Sequence, residues 1–156
     1  MALVPKTVRV SQVIMTQLVL PTHTNALDTV FGGQVMAWID ISAAIAAQRH
    51  SGRDVVTASM DRLSFVAPIR KGWVVNLKTS VNYTSRTSME IGVRVEAENP
   101  KTSELFHTAS AYMTFVALGS DGKPTEVPKL ILETEEEKRR YSAAQKRREQ
   151  MLLSRA

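Results

Sequence analysis

The run from Gly33 to Gln48 dictates what the rest of the chain must do. Eleven of its 16 residues are apolar, and they fall on every side of a helical projection, which predicts a helix enclosed all round rather than one laid on a surface. Its one ionisable residue is Asp40. The most apolar part, Val35 to Ala47, contains that acid and is far short of the ~20 residues needed to cross a bilayer. His50, Ser51 and Gly52 close the run, with Gly52 suited to the position just past a helix end. In a chain of 156 residues, enough for one domain with its own core, such a helix requires a wrapping layer.

Five extended runs supply it. Val10 to Leu20, rich in β-branched and long apolar side chains, ends at Pro21, and the polar loop Pro21 to Thr29 leads into the helix. Val55 to Phe65 follows the helix and is closed by Pro68 and the Arg70-Lys71-Gly72 turn. Trp73 to Thr84 alternates, with Trp73, Val75, Leu77, Val81 and Tyr83 on one face and Asn76, Lys78, Ser80 and Asn82 on the other. Met89 to Glu98 repeats the period of two, and Leu105 to Leu118 comes last, after an Asn99-Pro100-Lys101 turn. The final three strands read as an antiparallel meander with one solvated face. A curved antiparallel five-stranded sheet around one long buried helix, with sheet edges free to pair between subunits, is the α+β hotdog fold. Residues 1–128 form this single domain. The charged tail, 129–156, places Glu133, Glu135, Glu136 and Glu137 before Lys138, Arg139, Arg140, Lys146, Arg147 and Arg148, an order that complements a helix dipole and predicts a C-terminal helix.

Several classes are excluded by what the chain lacks. With no cysteine there is no disulfide framework, no thiolate metal site and no Cys nucleophile, and a reducing, cytoplasmic compartment is expected. His23, His50 and His107 have no spacing that sets two on one helical face, so no metal site is expected. The N-terminal region carries Lys6 and Arg9 but no unbroken apolar run or small-residue cleavage site, so a secretory signal is not expected, whereas the first acid at Asp28 leaves a transit peptide open. A net charge of +5 calls for an anionic partner: nucleic acid, anionic lipid or a phosphorylated small molecule. The acidic first turn of the tail and its lack of interleaved aromatics argue against nucleic acid.

The chemistry centres on Asp40. A carboxylate on an enclosed helix costs several kcal/mol to desolvate unless it is partnered. It is either a structural hydrogen-bonding group, toward a neighbouring subunit for example, or a general base or nucleophile tuned by dry surroundings. Gly32 and Gly33 stand where the loop becomes the helix. They either make a tight turn or let a substrate approach the first-turn N–H groups, which have no intrahelical partners and can stabilise an oxyanion. Asp40 follows Gly33 by two turns, about 10 Å along the same helical face. Asn25 is a turn residue or one that orients a water or a carbonyl, and His23 is a solvated loop residue or a second general base.

The elements Asn25, Phe31-Gly32-Gly33-Gln34, Trp38-Ile39-Asp40, Ala46-Ala47, Arg49-His50 and Val56-Thr57-Ala58-Ser59-Met60-Asp61, with Thr87-Ser88-Met89-Glu90 and Thr114-Phe115-Val116-Ala117, resemble the hotdog-fold acyl-CoA thioesterases over roughly Ser11 to Leu118, plus the basic tail. The resemblance implies hydrolysis of acyl-CoA to free acid and coenzyme A, with no separate cofactor because coenzyme A belongs to substrate and product. It implies Asp40 and Asn25 as a catalytic pair from opposite subunits, and the Gly33 amide polarising the carbonyl. Ala58, Ser59, Met60, Thr87, Ser88 and Met89 would line the coenzyme A channel, with Arg147 or its neighbour Arg148 near the nucleotide end, in a homo-oligomer built as a trimer of dimers. Many relatives carry Gly where this chain has Leu27-Asp28-Thr29, which makes Asp28 an alternative acidic partner. Arg62, Arg86 and Arg147 are the bases available for phosphate. A non-catalytic acyl-CoA sensor and a hotdog enoyl-CoA hydratase using His23 are the competing readings.

Overall fold

The computed structural model describes residues 3–155. Two short strands, β1 (Lys6–Thr7) and β7 (Leu130–Ile131), pair in parallel and tie the two ends of the chain together. The main sheet has five antiparallel strands in the order β2 (Val13–Leu18), β4 (Val74–Thr84), β5 (Ser88–Asn99), β6 (Glu104–Leu118), β3 (Asp54–Phe65). Helix α1 (Gly32–Ser51) lies against its inner face and α2 (Glu135–Ser154) lies against its outer face. This is the hotdog arrangement, with β2 and β3 as free edges.

The inner face is built by period-two alternation. Val75, Leu77 and Val81 of β4, Ile91, Val93 and Val95 of β5, and Ala109, Met113 and Phe115 of β6 are all buried, as residues i, i+2, i+4 on one side of a pleated strand must be. They meet the stripe Val35, Trp38, Ile39, Ser42, Ala43, Ala46 and Ala47 of α1, spaced by three and four. Fully buried Ile39 alone contributes ~1.5–3 kcal/mol. Small residues in the second half of the helix let the backbone approach the sheet closely. The helix ends at Gly52, whose left-handed φ of 64° and N–H bond to Gln48 O at 2.8 Å make the expected C-terminal cap.

The first strand is shorter than the expected run Val10 to Leu20, because Val8–Ser11 winds into a 3-10 turn and β2 begins only at Val13. Two further features differ from the sequence reading. The sheet covers only one side of α1: Gly33, Met36, Ala37 and Ile41 are exposed in the isolated chain, Ile41 by 52%. The all-round apolarity of the run therefore belongs to a helix with a second, uncovered apolar face. Tyr83 does not join the inner face. A register shift between Val81 and Tyr83 inserts one extra residue, and because side chains alternate with a period of two, everything beyond a bulge changes face. Tyr83 thus turns outward and packs on Tyr141 of α2, ring centroids 4.8 Å apart. The Val81 N–H is taken by the buried hydroxyl of Ser11 at 3.2 Å.

The charged tail forms a capped helix. Thr134 Oγ1 accepts from Glu137 N at 3.0 Å, and the Glu137 carboxylate turns back to accept from Glu133 N at 2.8 Å, so two N–H groups at the helix start are satisfied. Among the described residues no helix is long and apolar enough to cross a membrane.

Candidate active site

Asp40 sits half-buried at the middle of the uncovered face of α1, in line with Gly33, Ala37 and Ala44. The chain by itself does not enclose it. One carboxylate oxygen, Oδ1, accepts a hydrogen bond from Thr57 Oγ1 at 2.7 Å, which leaves Oδ2 for another partner. Thr57 lies on edge strand β3 immediately before a register shift that leaves Ala58 unpaired against β6. The sequence reading did not single out Thr57. It stands 17 residues from Asp40, and only the fold, by bringing β3 alongside α1, makes them neighbours.

Two turns before Asp40 the helix starts without a side-chain cap. Gln34 N and Val35 N bond to Phe31 O at 3.0 and 3.4 Å, so the N–H groups of Gly32 and Gly33 are the ones without acceptors among the described residues. A Cβ on Gly32 would lie 3.6 Å from the Phe65 ring and one on Gly33 3.5 Å from the Phe31 ring, both ordinary contacts. Packing within the chain therefore does not require glycine at either position. What the glycines leave is bare, exposed backbone at the positive end of the helix dipole.

In the loop before α1, Asn25 Oδ1 accepts from Leu27 N at 2.9 Å, Thr29 N at 3.3 Å and Thr29 Oγ1 at 3.2 Å. That oxygen is committed to shaping the loop, and the side-chain NH2 is the end left over. No hydrogen bond joins Asn25 to Asp40 within the chain. Asp28 takes a left-handed φ of 59°, the conformation that glycine adopts most readily, and pairs with Lys71 Nζ at 3.7 Å at the surface. This makes it a turn residue rather than a partner of Asp40. His23 Nδ1 accepts from Leu20 N at 3.0 Å and its ring meets Trp38 edge-on at 5.0 Å, so that nitrogen is occupied in holding the loop.

Of the residues the resemblance assigns to coenzyme A, Ala58, Ser59 and Met60 lie on β3 and Ser88 and Met89 on β5, with β6 between them. In register, Ser59 pairs with Thr114 and Thr114 with Glu90, while Val56 pairs with Val116 and Val116 with Ser88. Ala58-Ser59-Met60 and Ser88-Met89 thus flank β6 from either side, with Thr87 O accepting from Ala117 N at 3.0 Å. A groove of about 270 Å³ opens between this part of the sheet and α2, lined by Arg62, Ser88, Met89, Glu90, Arg147 and Arg148 among others. Arg86 is exposed in the β4–β5 turn and does not line it. Arg147 donates from Nε and Nη2 to the two oxygens of Glu90 at 3.1 and 2.7 Å and lies over the Tyr112 ring, 3.7 Å from its centroid. Burial disfavours the Arg147 charge, but the hydrogen bonds and negative charge of Glu90 outweigh it and raise the guanidinium pKa above its ordinary value.

A second buried titratable group lies at the far end of α1. His50 is fully buried; its Nε2 meets Pro128 O at 2.7 Å and Nδ1 has no partner among the described residues. Burial pushes its pKa down, against the opposing pull of the Pro128 carbonyl and with the help of nearby Lys6. It is a neutral structural residue fastening the segment that ends at Pro128 to the C-terminal end of α1, remote in sequence from the helix start.

A hotdog domain with bare helix-start amides and a hydroxyl-anchored carboxylate on one open face defines the class. The chain belongs to the thioesterase superfamily, whose family model matches residues 27–104. It is 45% identical to the "uncharacterized acyl-CoA thioester hydrolase YkhA" of Bacillus subtilis, over 81% of this chain and 74% of that one. A solved apo-hexameric acyl-CoA thioesterase superposes with a TM-score of 0.94 at 42% identity, covering 98% of this chain and 99% of the other. An acyl-CoA hydrolase from Staphylococcus aureus, solved in complex with butyryl coenzyme A, coenzyme A and coenzyme A disulfide, matches with a TM-score of 0.90 at 37% identity over 97% of this chain and 93% of its own. Alanine variants of an S. aureus acyl-CoA hydrolase have also been solved, at an asparagine, an aspartate and a threonine that follow one another at intervals of 15 and 17 residues. Asn25, Asp40 and Thr57 follow one another here at the same intervals.

Proposed function

We propose that this protein hydrolyses acyl-CoA thioesters to a carboxylic acid and coenzyme A, with the open face of α1 as one half of the active site. The observation that carries the reading is the Asp40 carboxylate, anchored by Thr57 on an uncovered apolar helix face two turns from unpaired amides. The names of the relatives support the reaction, and the matching Asn, Asp and Thr intervals support the residues.

In this reading the thioester carbonyl oxygen points at the Gly33 N–H, where the amide and the helix dipole favour the negative charge that develops on it. Thr57 fixes Oδ1 of Asp40, so Oδ2 is the oxygen that takes the proton of an attacking water, or attacks the carbonyl itself. In either case a C–O bond forms and the C–S bond breaks. The sulfur leaves as the coenzyme A thiolate and is then protonated, and water supplies the second oxygen of the acid. The free amide of Asn25, contributed by a second subunit, orients the water or the carbonyl. A second copy seated on Met36, Ile41 and the free edge of β3 would enclose the carboxylate and exclude bulk water. A trimer of such dimers is the assembly we propose, by analogy with the hexameric relative. Ala58, Ser59, Met60, Thr87, Ser88, Met89 and Arg147 are assigned to the coenzyme A channel.

The test is release of free thiol from a series of acyl-CoAs of increasing chain length. Thiol release from at least one member is expected. No release from any member, together with loss of the double bond from an enoyl-CoA, would contradict the reading.

A further inference from the structure

In the loop before α1, Thr29 turns every polar group it has toward Asn25. Its carbonyl accepts from Asn25 N at 2.9 Å, and its N–H and its hydroxyl donate to Asn25 Oδ1 at 3.3 and 3.2 Å. Leu27 N is the third donor to the same oxygen, at 2.9 Å. Which end of the amide faces the loop follows from these donors. The two ends of an asparagine amide are alike in shape, but Leu27 N and Thr29 N are backbone groups that can only donate, so they require an oxygen opposite them. Turned over, the amide would set its own NH2 against two N–H groups and lose three hydrogen bonds at once. Nδ2 is therefore the outward end of an exposed side chain, with two donors and no acceptor.

The loop is itself fixed to the core. Val30 N donates to the carbonyl of buried Ile69 at 2.8 Å, Lys71 N donates to Asp28 O at 3.1 Å, and Asp28 N donates to Asn25 O at 3.1 Å. These are backbone contacts, made whatever side chains the loop carries. The Asp28–Lys71 ion pair adds little, because both side chains are exposed and the charges lie 3.7 Å apart. The hydroxyl of half-buried Thr29 is the one grip on the Asn25 amide that depends on the identity of a second residue.

We infer that Thr29 is a positioning residue for thioester hydrolysis: it holds the Asn25 oxygen inside the loop, so that Asn25 enters the site of a second copy as a hydrogen-bond donor and nothing else. This rests on the acyl-CoA reading above, in which Asn25 completes the site around the Asp40 of another subunit. Three acceptors fit such a donor: the thioester carbonyl oxygen, the oxygen of the attacking water, and Oδ2 of Asp40. Taking a proton from the water is not open to it, which leaves that step to Asp40. An amide set in place before the substrate arrives needs no reorganisation in the transition state, so loosening it lowers kcat rather than raising KM.

The experiment measures kcat and KM for thiol release across the acyl-CoA series, with melting temperature, for the full-length wild type, Thr29→Val and Thr29→Ser. Thr29→Val keeps the branched shape and the backbone contacts and deletes the hydroxyl. It is expected to lower kcat about tenfold with KM and melting temperature little changed, and Thr29→Ser to recover most of that loss. Thr29→Val is then unfolded and refolded with an equal amount of Asp40→Asn. If Thr29 acts through Asn25 on the other subunit's site, each mixed dimer holds one site with an intact Asp40 and an intact Asn25–Thr29 pair, and about a quarter of wild-type activity should return. If Thr29 serves the Asp40 of its own chain, that site keeps the defect and only about a twentieth returns. The inference alone is overturned by a Thr29→Val kcat equal to wild type, by a loss that follows the melting temperature and that Thr29→Ser does not recover, or by a mixture at a twentieth. A wild type that releases no thiol from any acyl-CoA overturns the proposed reaction and the inference together.

Discussion

The two helices are each 20 residues long and flank the same sheet, yet they are stabilised in opposite ways. α1 is apolar, starts without a cap, and is held by a stripe of buried side chains on the inner face. α2 is charged, starts with Thr134 and Glu137 closing its first turn, and is held on the outer face by Tyr141 on Tyr83 and Arg147 on Glu90. The difference shows where a fold can leave polar groups open. A helix anchored by its core can keep unpaired amides and a half-open carboxylate because its stability does not depend on them. A helix on a polar outer face needs its caps and ion pairs, and its free charges are those that the pairing does not use.

That contrast can be broken at several points. The largest effect is expected from Asp40→Asn, which preserves the shape and the Thr57 contact: kcat should fall by about 10²–10⁴ with the melting temperature held, as removal of a general base or nucleophile requires. Turnover equal to wild type would take Asp40 out of the mechanism. Thr57→Val, which deletes one hydroxyl hydrogen bond to a carboxylate, is expected to lower kcat by about 10- to 100-fold, with KM for the acyl-CoA little changed. An effect on KM alone would make Thr57 a binding residue.

Stability effects come next, at the other ends of the helices. Burial keeps His50 neutral in the folded protein, so its folded pKa lies below the unfolded value of 6.5. The unfolded chain therefore binds the extra proton first. Stability from this group is full above about pH 6.5 and declines as pH falls below it, by at most about 1.4 kcal/mol per pH unit, until the folded pKa is reached. Melting curves from pH 8 to 5 should show a decline that His50→Asn reduces; identical pH profiles would contradict it. Thr134→Ala should cost about 1 kcal/mol through loss of the α2 cap, a shift of roughly 2–4 °C in melting temperature. The uncapped start of α1 offers no such contact to lose.

The sequence made the inner half of this account readable and the outer half much less so. The apolar run with its one acid identified α1, period-two patterning identified β4 and β5 closely, and extended runs bounded by turn residues identified β3 and β6. Asp40 and Gly33 were legible because a carboxylate and paired glycines are conspicuous beside apolar neighbours. Thr57 was not, since a threonine in a strand is ordinary until the fold sets it 2.7 Å from an acid 17 residues away. The outward turn of Tyr83 depends on one inserted residue at Asn82, which no periodicity reveals in advance. The Glu90–Arg147 pair spans 57 residues, so charge patterning could count its members but not match them. The open face of α1 was hidden for a different reason: hydropathy records that a side chain needs covering, not whether its own chain provides the cover.

Uncovered apolar surface around a held carboxylate means, on this account, that catalysis is shared between two copies. Mixing settles that most directly: Asp40→Asn and Asn25→Ala proteins, each inactive alone, are unfolded together, refolded, and assayed for thiol release. If the two residues act from opposite subunits, random pairing makes half the dimers mixed, each with one intact site, and about a quarter of wild-type activity should return. A refolded mixture as inactive as its two components would contradict the shared site.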